Sequence, residues 1–285
     1  MKTDKGMSRL ARGLVGAAIG AGMASTAMAA ASISLTKHNL STGGTGAVHT
    51  TTGTAEICVF CHTPHAADVS IAGVPLWNKR LATGATYTTY SSSTMNAVGS
   101  TDGSAGGAIG SVSLACLSCH DGAQAMDNML NGPGAGLYDS TGGGTTGLAY
   151  SWQGAQANGQ MIATNLATLG SDLRNDHPIG IQYCGGGVGN QIPAGTCNDA
   201  DFVLPTSASI GGQTVWWVDN TAGGGRQKTD MILYNRGFPG NGTQAAGNYP
   251  SVECASCHDP HSNTNATFLR ISNAASAVCL ACHVK

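Results

Sequence analysis

Four times the chain spells Cys-x-x-Cys-His: Cys58, Cys61 and His62; Cys116, Cys119 and His120; Cys254, Cys257 and His258; Cys279, Cys282 and His283. Paired cysteines at this spacing also suit a four-cysteine zinc ribbon or a thioredoxin-like redox pair. Either would leave the next residue free to vary, yet histidine follows all four pairs. The complete signature reads as covalent attachment of c-type haem, with each histidine the proximal iron ligand. Four motifs imply four covalently attached haem c groups.

That reading also answers a problem of composition. Only 10% of residues are charged and 5% aromatic, while 42 are glycine. A chain so poor in large side chains would struggle to offset the entropy of ordering its backbone. Four macrocycles supply the missing apolar bulk, so the expected fold is one haem-cored domain. A compact chain of this size has a radius of gyration of about 18 Å, which forces the haems close together.

The start of the sequence reads as a secretory signal peptide, residues 1–29. Lys2, Lys5, Arg9 and Arg12 precede an apolar small-residue run that ends in a plausible cleavage site at Ala27–Ala29. The run is too short and glycine-rich to span a membrane, and no other stretch approaches that length. Losing those four basic residues and Asp4 moves the formal net charge from −2 to −5. With no basic stripe, nucleic acid is not an expected partner. Export places the chain in the periplasm or at the outer surface, where haem c is attached. The remaining cysteines, Cys184 and Cys197, flank "CGGGVGNQIPAGTC" and read as a disulfide permitted by an oxidising compartment. Two free thiols are the rival reading.

Beyond the proximal set, five histidines remain: His38, His49, His65, His177 and His261. Four irons need at most four more ligands, so bis-histidine ligation nearly balances. Met95, Met126, Met129, Met161 and Met231 could ligate instead, but none sits in a repeated context. "CHTPH" at the first motif recurs as "CHDPH" at the third, and "ACLSCH" at the second recurs as "VCLACH" at the fourth. A lone histidine leads each pair, His38 and then His177. The chain therefore divides into two-haem units, about 38–120 and 177–283, joined by a glycine-rich insert. His38 and His65 serve the first unit and His177 and His261 the second, leaving His49 as a loop residue outside the scheme.

His65 and His261 each follow a motif histidine by three residues. Pro64 and Pro260 bias the preceding residue towards extended backbone. Three residues span only about 10 Å, too little to pass round a macrocycle to its far face. Each is therefore either solvent-exposed or the ligand of a neighbouring iron.

Elsewhere helical periodicity is scarce. Short strand-like runs occur at Ile179–Tyr183, Thr214–Val218 and Met231–Tyr234. Glycine tracts at Gly103–Gly110 and Gly142–Gly147 could let backbone approach haem faces closely. The gap Asp121–Glu253 reads as a surface elaboration or a packing interface, with Trp216 and Trp217 packed on haem or core. The expected fold is mostly irregular coil with short helices and few short strands.

"HNLS" at His38, "EICVFCHTPH", "PLWNKR" (Pro75–Arg80), "CLSCHDG", "NDHPIG", "CASCHDPH" and the last motif together resemble the extracellular multihaem c-type cytochromes of metal-reducing bacteria of the Geobacter type. The resemblance is to the tetrahaem and hexahaem outer-surface members that polymerise into conductive filaments, and it thins between about 185 and 250. It implies bis-histidine ligation of every haem, a continuous haem stack and little regular structure. It also implies that His65 ligates a haem of the adjacent subunit. Redox proteins or extracellular electron acceptors are the partners it suggests.

The function expected is electron transfer without catalysis, because a six-coordinate haem leaves no position for substrate. A soluble periplasmic shuttle would use the same chemistry. A small multihaem reductase would need one iron without a distal ligand, and an adhesive protein would have little use for four haems.

Overall fold

The computed structural model describes residues 32–70, 73–81, 86–97, 99, 109–133, 150–186, 196–221, 224–239 and 246–284. The expected signal peptide, the tract 142–147, all but the last two residues of 103–110, and residues 187–195 lie outside the described residues. All described residues fall within one unit, Ser32–Lys285.

The attachment motifs set the helices. The first occupies a single 3-10 turn, Cys58–Phe60. The second ends helix α1, Ser111–His120. Ser113, Leu114, Ala115, Leu117 and Ser118 of α1 are all buried. Small or apolar residues on several faces suit a helix enclosed on more than one side. Its end is closed by the Asp121 N–H, which donates to the Leu117 and Cys119 carbonyls. The third and fourth motifs form short helices, α2 (Cys254–Cys257) and α3 (Ala277–Cys282). In both, the motif histidine follows in extended backbone and so leaves the helix.

Two small antiparallel pairs follow the first half: β1 (His49–Thr52) with β2 (Ser151–Gln153), and β3 (Gln156–Ala157) with β4 (Gln160–Met161). The insert builds a larger sheet from β5 (Ile181–Gln182), β6 (Thr206–Ile210), β7 (Gln213–Val218), β8 (Met231–Phe238) and β9 (Gly247–Val252). Its order is β5-β9-β8-β7-β6, antiparallel throughout. Gly211 and Gly212, at φ +59° and +78°, join β6 to β7 with Ile210 opposite Gln213. A two-residue hairpin loop with both central φ values positive is the type I′ turn, which glycine adopts without a steric penalty.

The sheet packs on the last motif. Tyr183, Cys184, Val218, Met231, Leu233 and Val252 form one buried cluster with Ala281 of α3. Trp217 is buried and Trp216 packs against the cluster's edge. Backbone bonds hold the same junction: Val203 N–H donates to the Cys282 carbonyl, and Val284 N–H to that of Asp201. The insert is thus a packing platform, and β9 runs directly into α2.

In the first half, residues 75–80 wedge between motif 1 and the loop after α1. Asn78 N–H donates to the Cys61 carbonyl, and its buried side-chain amide donates to the carbonyls of Val59 and Asn131. Trp77 joins Ile109, Leu114, Ala115, Leu117 and Leu173 in a second core.

Candidate functional site

Sulfurs of successive motifs interact with one another in chain order. Cys61 and Cys119 are within electrostatic reach of each other. The Cys116 thiol is hydrogen-bonded to the Cys254 sulfur, and Cys257 interacts with Cys279 and Cys282. Burial pushes the Cys61 and Cys282 thiols up to about 12. Among the described residues, no three His, Cys, Asp or Glu side chains converge on a metal-ion site. The thiols are therefore not gathered as a zinc ribbon requires.

The histidines are arranged differently. The His62 and His261 ring centroids lie 6.3 Å apart, with planes 16° from parallel. The His38 and His120 rings stand 6.1 Å apart at 65°. Two metal–imidazole bonds of about 2 Å, plus about 1.1 Å from each nitrogen to its ring centre, sum to about 6.2 Å. Both separations fit one iron held between two imidazoles. Leu76 and Leu166, each beside a ring-anchoring carbonyl, are 54% and 101% exposed. They present apolar surface of the kind a macrocycle covers. The residues present fit haem.

Ring orientation is set from behind. Nδ1–H of His62 donates to the Pro75 carbonyl (2.9 Å), that of His120 to Ala167 (2.7 Å) and that of His258 to Thr267 (2.7 Å). His38 makes the same bond to Pro260 at 3.3 Å. A carbonyl only accepts, so Nδ1 carries the proton and Nε2 presents the lone pair that iron needs. Burial, reinforced by His120, lowers His38 to about 4, keeping its ring neutral. Phe268 stacks on that ring at 4.3 Å.

The other histidines are placed as follows. His283 packs at 4.5 Å against Phe202 of the insert. His177 is exposed, with Nδ1 bonded to its neighbour Pro178. His65 is exposed, and its ring has no partner among the described residues, although its carbonyl accepts from Thr63 and Asn131. His49 begins β1 opposite Gln153 and is half-buried, so it is not a loop residue. The His38–His120 pair lies within the first unit, whereas the other pair crosses between the two units. His261, from the second half, lies beside His62 in the first, because the segment 254–261 folds back over the N-terminal motif. Cys184 and Cys197 are joined by a disulfide, with Cα atoms 4.9 Å apart.

Lys79 and Glu253 are among the buried charged residues that the sequence does not mark as buried. Lys79 is wholly buried. Glu253, at the junction of β9 and α2, accepts from Ser113 of α1 and pairs with Arg236 of β8. Ser113 in turn accepts from the Cys254 N–H at 3.0 Å, tying motif 2 to motif 3. Burial raises Glu253 to about 7. An isolated Lys or Glu between motifs gives no periodic signal from which burial can be inferred.

No curated protein matches the chain. A family model described as the doubled CXXCH motif matches residues 248–285, which hold the third and fourth motifs. Over that stretch the chain is similar to multihaem c-type cytochromes, and its motifs are sites for covalently bound haem c.

Proposed function

We propose that the chain carries electrons outside the cytoplasm through four covalently attached haem c groups, each held by two histidines, and that it does so as a subunit of an extracellular conductive filament. The observation that carries the electron-transfer reading is the pair of histidine couples at iron-spanning distance, His62 with His261 and His38 with His120. When bound, haem iron supplies one-electron exchange between its ferric and ferrous states. The chain's own residues do the rest. Eight cysteines would anchor the groups, backbone carbonyls fix the ring tautomers, and two ligands per iron would leave no position for substrate. His65, whose exposed ring has no partner among the described residues, supports the filament reading, because that ring is placed to meet a neighbouring subunit.

The test compares the wild type with His261→Ala and His38→Ala. The wild type is expected to carry four haems per chain, all low-spin and indifferent to cyanide. Each variant should convert one haem to a high-spin, cyanide-binding form. In electron paramagnetic resonance the near-parallel pair should give a rhombic low-spin signal and the 65° pair a strongly anisotropic one, each lost with its own variant. Variants that stay fully low-spin would sink the assignment. A high-spin haem in the wild type would favour a reductase.

A further inference from the structure

Lys79 is wholly buried, and its Nζ donates to three backbone carbonyls: Ala125 (2.9 Å), Met126 (3.2 Å) and Asn128 (2.9 Å). An ammonium has three N–H donors and no acceptor. Three carbonyl oxygens therefore match it completely, whereas the lone pair of a neutral amine would be pressed against one of them. The site selects the cation, against the downward push that burial exerts on its pKa.

Among the described residues, no carboxylate is hydrogen-bonded to Nζ. Asp121 accepts from the Tyr87 hydroxyl (2.9 Å) and the Ala123 N–H. Asp127 accepts from the Tyr150 N–H (3.3 Å). Both lie in electrostatic range of Lys79, but neither bonds Nζ. The contrast is Arg236, whose guanidinium pairs with Glu253. The Lys79 charge acts on the sulfurs of Cys61 and Cys119, one from each of the first two motifs. The wedge 75–80 and the loop 124–131 hold it there between them.

We propose that Lys79 is a redox-tuning residue, whose fixed positive charge raises the reduction potentials of the haems attached at Cys58/Cys61 and Cys116/Cys119. The proposal rests on the haem reading above. Adding an electron makes a haem more negative, so a nearby buried cation favours the reduced form. At an effective dielectric constant of about 20, a unit charge about 10 Å away changes such an equilibrium about tenfold. For one electron, a tenfold change is about 59 mV.

The experiment is an optical redox titration of the haem-loaded wild type, Lys79→Met, Lys79→Gln and Lys79→Arg. Met removes charge and hydrogen bonds, Gln removes charge but keeps two N–H donors, and Arg keeps the charge. In the Met and Gln variants, half of the haem absorbance change should move about 59 mV lower, the tenfold shift, with the other half unmoved. The low-spin spectrum should persist throughout, and Arg should restore the wild-type curve. Unchanged potentials, an equal shift of all haems, or a shift in the Met variant alone would overturn the tuning role. A wild type without low-spin haem would overturn the underlying haem reading instead, and the resting spectrum tells the two failures apart.

Discussion

At Cys184 the backbone turns left-handed, φ +66°, and Gly185 and Gly186 continue the turn at +67° and +84°. The Cys184 carbonyl then accepts the N–H groups of Asn198 and Asp199, beyond the other half of the disulfide. A non-glycine residue in this region costs free energy, and here the crosslink and two backbone bonds hold it. Cys184 is also wholly buried under the sheet, beside Tyr183 and Val218. Replacing Cys184 and Cys197 together by Ser should cost about 3 kcal/mol through the loop released in the unfolded chain. A lowered thermal midpoint, insensitive to reductant in the variant and sensitive in the wild type, is the outcome expected. At the same scale, the sequence indicated which histidines were candidates by their repeated words. It could not indicate that His62 lies beside His261, since that pairing depends on how the chain closes over itself.

Between elements, Glu253 is the joint. Its carboxylate gathers Ser113 of α1 and Arg236 of β8 at the first residue before α2, and it shares a reciprocal cap with Ser256. Because burial lifts its pKa from 4.5 to about 7, the folded protein holds this proton more tightly than the unfolded chain. The associated stability is complete below about pH 4.5 and is lost as pH rises through about 7, at about 1.4 kcal/mol per pH unit within that window. Urea midpoints at pH 5 and pH 8 should fall further in the wild type than in Glu253→Gln, which has no such proton to lose. Sheet elements were only half legible. β7 and β8 announce themselves through "TVWWV" and "MILY". By contrast, β6, "TSASI", is exposed at all five positions, and β9 contains Gly247 and Pro250. Pro250 pairs with Asn235 at a point beyond the reach of the two-residue β5, where no ladder bond is needed on that side. Local propensity speaks against both strands, and only pairing with their neighbours makes them strands.

At the scale of the molecule, no helix among the described residues is long and apolar enough to cross a membrane. Continuity between copies in the filament reading depends on surface groups, and the motif repeat and the exposure of His65 make it a candidate for that contact. In the filament reading, His65→Ala should abolish polymerisation and leave one haem per subunit high-spin. Electron microscopy of secreted protein, beside its absorption spectrum, checks both. Filaments of normal length with fully low-spin haem would count against an inter-subunit ligand.

The pairing of His62 with His261 has a bearing on how such a protein is made. In the proposed reading of an exported cytochrome, the chain crosses the membrane from its N-terminus onward, and Cys58–His62 arrives long before His261. With haem attached there, His62 would be the sole axial histidine of its site until the segment 254–261 follows. A site near the start of the chain is, in that reading, completed only once the chain has been made as far as His261. By the same reading, a chain broken between His62 and His261 should show a high-spin haem in its absorption spectrum, which the intact chain would lack.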